Sequence, residues 1–242
     1  HGSRDYFQVN YKGYTIEIVP ILSITRPTQA KNITDFSSFH VKYIGNKIRK
    51  NKSLADNIRV AKMFARANRF YGAESHIKGF SGYVVELLVS HYGSFLKFLD
   101  AASKWKSTNI IGSKRAAERL NWAKKISPLI LIDPVQPGRN AAAALSREQY
   151  DNIVKLSKSF VRRPSMSFFE LKPVDVKKLR RKGRLSIIEA EPITAKRDVA
   201  GAKALKAFQH VMKNLSDYDI ADSFFDYDDS TATFYLVTKK IS

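Results

Sequence analysis

Between residues 82 and 105 the apolar side chains Val85, Leu88, Val89, Phe95, Leu96 and Leu99 recur with helical spacing. That pattern lays them along a stripe, and a stripe of this kind must be buried against other helices or a sheet. Gly93 interrupts the run and predicts two consecutive helices, because glycine weakens a helix interior and readily ends one. No uninterrupted apolar run approaches the ~20 residues that a membrane crossing needs. The longest, residues 83–89 and 128–132, are short, and the first contains Glu86. No membrane partner is expected.

The rest of the chain arranges itself around this helical centre. Residues 6–10 and 14–22 read as a hairpin about Tyr11-Lys12-Gly13. Thr25 to Thr28 is a loop. Helices are expected over 38–49, with Phe39, Val41, Tyr43 and Ile44 apolar, and from an N-cap at Ser53 to about Asn68, with the stripe Leu54, Ile58, Ala61 and Ala65. A basic helical segment over 114–125, a strand over 129–132 and a loop over 133–140 follow. A helix then runs from Ser146 to about Val161 with Ile153, Leu156, Phe160 and Val161 near one face. Pro164 marks a candidate boundary. Beyond it the order is strand (167–171), short basic helix (174–181), strand (185–191), helix (197–214) and two closing strands (223–226 and 231–238). The fold class is α+β, ending in a small antiparallel sheet packed on one or two helices.

Charge narrows the function. Forty-two Lys and Arg oppose 22 Asp and Glu, a formal net charge of +20. An excess of that size favours polyanionic partners through counterion release. The chain has no cysteine, which removes disulfides and thiolate metal sites and fits a reducing compartment, the cytoplasm. Common nucleotide-loop, dinucleotide-fold and zinc-protease signatures are absent. The acidic pairs Glu189/Glu191, Asp217/Asp219 and Asp226/Asp228 each leave one residue between them. Without a phosphate-gripping loop nearby, they read as solvated strand faces or turns. His1-Gly2-Ser3 reads as the remnant of an affinity tag.

A set of dispersed, ordered segments carries a family resemblance. They are Tyr11-Lys12-Gly13-Tyr14-Thr15-Ile16-Glu17-Ile18-Val19-Pro20, Asp35-Phe36-Ser37-Ser38-Phe39-His40, Arg59 to Phe64 leading into Phe70-Tyr71-Gly72-Ala73-Glu74, and Gly79-Phe80-Ser81-Gly82-Tyr83 with Glu86-Leu87-Leu88. Tyr92-Gly93-Ser94-Phe95, Asp133-Pro134-Val135 with Arg139-Asn140, Pro164-Ser165 with Phe168-Phe169, and the closing Lys240-Ile241-Ser242 complete it. In this order the segments resemble the archaeal-type CCA-adding tRNA nucleotidyltransferases, from the end of their palm through the central helical domain to the body domain. After the tag remnant at 1–3, the resemblance implies the C-terminal part of the palm at 4–34, a nucleotide-selecting central domain at 35–163 and an RNA-contacting body domain at 164–242. It implies addition of C and A, from CTP and ATP, to the 3′ end of tRNA. Two magnesium ions held by three carboxylates would activate the attacking hydroxyl and steady the leaving pyrophosphate.

Residue by residue, Glu17 matches the third metal-binding carboxylate, where the family more often has Asp, and so is the catalytic and metal candidate. Ser37, His40, Lys62 and Tyr71 match triphosphate-binding positions, a set of hydrogen-bond donors of different reach. Lys62 stands four residues after Ile58, at the edge of an apolar face. Phe36 replaces a family arginine. Arg139 matches the arginine that helps choose the base, where a guanidinium fork suits base-edge acceptors. Arg162 and Arg163, with Lys177, Lys178, Arg180 and Arg181, form a basic stripe suited to an RNA acceptor stem, and Phe168, Phe169 and Phe225 offer aromatic surface beside it. Each residue also admits a plainer role: an exposed strand carboxylate for Glu17, a capping or core histidine for His40, a lysine at the core margin for Lys62, a core ring for Tyr71 and a loop arginine for Arg139.

The family's Gly-Ser loop and the strand bearing its other two carboxylates would precede residue 1, and its tail domain would follow Ser242. A single Glu17 cannot organise two metals, so this chain alone is expected to be inactive until an N-terminal catalytic segment, from the same gene or a separate chain, completes it. Two further readings stay open: a non-catalytic tRNA- or RNA-binding module, and a relative that adds only A.

Overall fold

The structure, a computed structural model, describes residues 6–193, 197–215, 217–228 and 230–239. The tag remnant and the closing Lys240-Ile241-Ser242 lie outside them. It opens with the expected hairpin: β1 (Phe7–Tyr11) pairs antiparallel with β2 (Tyr14–Ile18) across Lys12-Gly13, placing Gln8 opposite Glu17. Every residue of both strands is exposed. The second arm ends at Ile18, short of Leu22.

The hairpin leads to the helical centre through Asp35. This buried carboxylate accepts the backbone N–H groups of Leu22 (3.0 Å), Lys31 (2.9 Å) and Asn32 (3.1 Å). It thereby ties the exit of the hairpin to the start of α1 (Ser37–Lys50). Helix α2 (Leu54–Ala67) buries the expected stripe of Leu54, Ile58, Ala61 and Ala65, and adds Phe64. Ser53 occupies the N-cap position of α2, but its hydroxyl donates to Asn51 rather than capping the helix.

The 82–105 segment divides as its glycine foretells. Helix α3 (Gly82–Tyr92) is capped by Ser81 and ends at Gly93, whose φ of 88° is left-handed backbone that glycine adopts without steric cost. Ser94 then caps α4 (Phe95–Ser103). Val85, Leu88, Val89, Phe95 and Leu99 are buried, whereas Leu96 is 63% exposed because the turn at Gly93 resets the helical phase.

A short parallel pair follows: β3 (Asn109–Ile111), not foreseen in the sequence, lies against β4 (Leu129–Leu131). Between them run α5 (Lys114–Glu118) and a 3-10 turn, Trp122–Lys125, in place of one long basic helix. Helix α6 (Arg147–Arg162), capped by Ser146, buries Tyr150, Ile153 and Phe160 and leaves Val161 exposed. The ring of Phe64 meets Phe70, Phe95, Phe160, Phe168 and Phe169 at centroid distances of 5.5–6.2 Å. It is the keystone of the core.

Phe168 and Phe169 therefore belong to the helical centre, not to an RNA-facing surface. They sit in a 3-10 turn (Met166–Phe169), not the expected strand, because their rings turn into the aromatic cluster. Packing with the helical centre accordingly continues past Pro164. The terminal module follows with α7 (Val176–Lys182), β5 (Arg184–Ala190), α8 (Arg197–Asn214), β6 (Ile220–Tyr227) and β7 (Ala232–Thr238), as an antiparallel sheet in the order β5-β7-β6. Phe208 of α8 packs with Phe225 and Phe234 of the sheet, so Phe225 too is inward rather than surface aromatic area. An Arg69–Asp226 ion pair fastens the end of α2 to this module, while Asn68 Nδ2 donates to Phe168 O (2.8 Å) within the helical centre. Among the described residues, no helix is long and apolar enough to cross a membrane.

Candidate functional site

The head of α3 gathers most of the residues selected from the sequence. On one side lie Lys62, from α2, and Tyr71, from a short bridge to Phe80 that runs parallel. Lys62 Nζ is 2.6 Å from Glu86 Oε1, one turn into α3, and each side chain is a quarter exposed. The Arg66 guanidinium lies 4.6 Å above the Tyr71 ring. Gly82 permits this closeness: a methyl group there would fall 2.8 Å from the Tyr71 hydroxyl and 3.7 Å from Lys62 Nζ.

On the other side lies His40, from α1, whose ring stacks on Tyr83 at 4.0 Å and 25°. Phe36 lies parallel to His40 at 6.4 Å. Ser37 is exposed in the first turn of α1, three residues before His40 and on the same side of the helix.

Asp133 joins this second group to Arg139. Its carboxylate is fully buried. It accepts hydrogen bonds from the Tyr83 hydroxyl (3.1 Å), the Val135 N–H (2.9 Å) and the Arg139 guanidinium (3.0 Å). His40 Nε2 is 3.3 Å from the same carboxylate, though off the direction of a good hydrogen bond. Burial alone would push this carboxyl up, but the His40 ring, the Val135 amide and the Arg139 charge together hold it below the ordinary carboxylate range. Burial and the Asp133 charge push the Tyr83 phenol well up, so it remains a donor at neutral pH. Asn140 fixes the loop beneath: its side chain accepts from Leu131 N and Ala142 N and donates to Lys124 O and Leu129 O.

His40, Lys62, Tyr71 and Arg139 thus meet around the first turn of α3. Gly82 lies beside Lys62 and Tyr71, Tyr83 stacks on His40 and reaches Arg139 only through Asp133, and Glu86 holds Lys62. Glu17 is not among them. Its side chain has one described partner, Gln8 Nε2 at 3.5 Å across the hairpin. Glu17 is also the only carboxylate of residues 6–22, and no group of three His, Asp or Glu placed to hold a metal occurs among the described residues. The residues present therefore do not fit a two-metal site by themselves. The basic stripe lies elsewhere: Arg162 and Arg163 at the end of α6, and Lys177, Lys178, Arg180 and Arg181 on α7, are all exposed.

Asp133, Tyr83, Gly82 and Glu86 were present in the sequence motifs without a role. Asp133 carried a usable signal. A carboxylate that directly follows the apolar run Leu129-Ile130-Leu131-Ile132 is headed for burial, and a buried carboxylate needs donors.

Comparison with known proteins supplies an independent view. Residues 56–170 match the family described as tRNA nucleotidyltransferase, second domain. The CCA-adding enzyme of Nanoarchaeum equitans is 42% identical over 161 residues, covering 64% of this chain and 40% of that protein. The CCA-adding enzyme of Methanosarcina mazei is 32% identical over 230 residues, covering 91% of this chain and 49% of its own length. The CCA-adding enzyme of Methanoregula boonei is 35% identical over 173 residues, covering 71% and 36%. The chain spans about half the length, or less, of these relatives.

Proposed function

Since the chain is a relative of the archaeal-type CCA-adding enzymes, with a tRNA nucleotidyltransferase second domain at residues 56–170, we propose that it supplies the nucleotide-selecting and RNA-holding part of such an enzyme. In this reading it takes part in adding C and A from CTP and ATP to the 3′ end of tRNA. One observation supports it: Lys62 and Tyr71 lie beside Gly82, while His40 and Arg139 are tied through Asp133 to Tyr83, the next residue of the same helix. Lys62 and Tyr71 offer a cation and a hydroxyl to a triphosphate. His40 stands on Tyr83 nearby. Arg139, pinned by Asp133 and still one-third exposed, presents its remaining donors in fixed orientation to a base edge. Glu86 is the counter-charge that Lys62 must share or leave when a triphosphate arrives.

If two further carboxylates were supplied, Glu17 would be the residue of this chain to help hold magnesium, which would supply activation of the attacking hydroxyl and charge stabilisation of the pyrophosphate. One carboxylate does not organise two ions, so nucleotidyl transfer is expected only when a segment or chain bearing two more is supplied. Arg162, Arg163 and the exposed cations of α7 are the proposed contact to the tRNA acceptor stem, through phosphates rather than bases.

Isothermal titration with CTP and magnesium tests the reading. Saturable binding that drops about tenfold in Lys62→Ala and in Arg139→Ala supports it. Salt-dependent tRNA binding with no CTP or ATP affinity would overturn it in favour of a plain RNA-binding module, a second reading that the separation of Glu17 from the other site residues favours.

A further inference from the structure

On another part of the helical centre an open groove of about 540 Å³ lies between the end of α4 and α6. Trp105 and Tyr150 form its floor, and Lys106, Ser107, Lys155, Lys158 and Ser159 stand among its walls. We infer that this groove binds an RNA sugar–phosphate backbone and extends the nucleic-acid surface from Arg162 and Arg163 along α6. The inference rests on the RNA-holding reading above and adds a contact surface to it.

The chemistry of the walls selects phosphate. Lys106, Lys155 and Lys158 are exposed and have no ion-pair partner among the described residues. The one acid in the groove, Asp151, lies 3.8 Å from Arg147, which offsets its charge. Lysines act as point charges on flexible stems and suit phosphate oxygens without demanding a base. Two serine hydroxyls add short-range donors. The floor argues against base stacking: Trp105 and Tyr150 are only 8% and 1% exposed, and their rings stack on each other at 5.6 Å.

The groove is also held in shape before any ligand arrives. Tyr150 Oη donates to Lys106 O (2.6 Å), and the Arg147 guanidinium donates to Ser107 O (2.5 Å). These bonds fix the 105–107 loop on α6, so little ordering cost remains for binding. Along α6, Lys155, Lys158 and Arg162 follow one another at steps of three and four residues and share a face. They cover about 10 Å of helix axis, a continuous basic path from the groove to the Arg162-Arg163 pair.

Fluorescence anisotropy with a labelled RNA hairpin of acceptor-stem length, titrated over a range of salt, tests this. The Lys106→Ala/Lys155→Ala/Lys158→Ala variant should bind roughly tenfold or more weakly, with a log–log salt slope shallower by about 2–3. A charge-matched control, Lys50→Ala/Lys52→Ala/Lys97→Ala, should lose far less. All six side chains are exposed, so thermal melting should be unchanged in both. If the groove variant binds like the control while Arg180→Ala/Arg181→Ala weakens binding, the groove is wrong and the RNA reading stands. If the unmodified chain binds no RNA, both fail. If polyglutamate displaces the RNA at equal charge and loses that ability in the groove variant, the groove serves an acidic protein and the RNA assignment is overturned.

Discussion

The head of α3 and the β1–β2 hairpin both carry residues chosen for one chemistry, yet they are built in opposite ways. Around α3 four of the selected side chains are held by neighbours: Arg139 by Asp133, Lys62 by Glu86, His40 by the Tyr83 face and Tyr71 by the Arg66 guanidinium. On the hairpin, Phe7, Val9, Tyr11, Tyr14, Ile16 and Ile18 are all exposed, from 43% to 74%, and among the described residues Glu17 has only Gln8 as a side-chain partner. A two-stranded hairpin exposed on both faces is marginal by itself. Contacts from a packed core fix geometry, and Glu17 lacks them. The half proposed to select the nucleotide is thus organised by this chain's own packing, whereas the half proposed to hold a metal is not.

Asp133→Ala should separate the two regions most sharply. It removes the acceptor for Arg139, the Tyr83 hydroxyl and the Val135 amide at a fully buried position. Losing the buried partner of a charge costs about 3–5 kcal/mol, and the partial exposure of Arg139 puts the expected loss near the lower end. Urea denaturation reads this directly, and CTP binding should fall with it. A loss below about 1 kcal/mol would mean that the cluster is not the rigid centre described.

The same carboxylate sets a pH prediction. Its folded pKa is depressed, so the unfolded chain binds more protons at acid pH, and stability rises with pH across that window. The contribution is complete above the unfolded carboxylate value, near pH 4, and is lost as pH falls through the lower folded value. In Asp133→Asn the contribution is missing at neutral pH and the acid limb is flatter. Part of the slope survives, because Asp35, held by the Leu22 amide, and Asp222, bonded to Lys182, are depressed too. An identical acid limb in both proteins would place the titrating group elsewhere.

Gly82→Ala probes the close approach with less damage. Alanine favours the helix over glycine by up to about 1 kcal/mol, while its methyl group must push the Tyr71 hydroxyl away from 2.8 Å. The stability change should stay within about 1 kcal/mol, and CTP affinity should fall several-fold. Unchanged affinity would remove Tyr71 from the proposed triphosphate site.

Much of this organisation was legible before any coordinates. Gly93 announced the break between α3 and α4, Ser146 the start of α6, and Lys12-Gly13 the hairpin turn. Periodicity misled where tertiary packing decided the outcome. Phe168-Phe169 suggested a strand, but the rings complete the cluster around Phe64, and among the described residues no strand pairs with them. The strand β3 escaped notice because it has only three residues and is defined by its parallel neighbour 20 positions later. In the site, residue types that bind phosphate stood out. Asp133 and Gly82 did not, since their work is done on other side chains and depends on distances that no linear spacing encodes.

Glu17 supplies the smallest expected effect, and the one that tests the comparison from its open side. Its side chain is exposed and its one described bond, to Gln8, is long at 3.5 Å, so Glu17→Ala should change stability by no more than about 0.5 kcal/mol. CTP affinity measured without metal should also stay the same, because no contact links Glu17 to His40, Lys62, Tyr71 or Arg139 among the described residues. With the two further carboxylates supplied in trans, the same substitution should abolish CTP incorporation into tRNA lacking its 3′ end. A variant that lost metal-free CTP binding would show that the hairpin already reaches the α3 site in solution, and the division between the two halves would collapse.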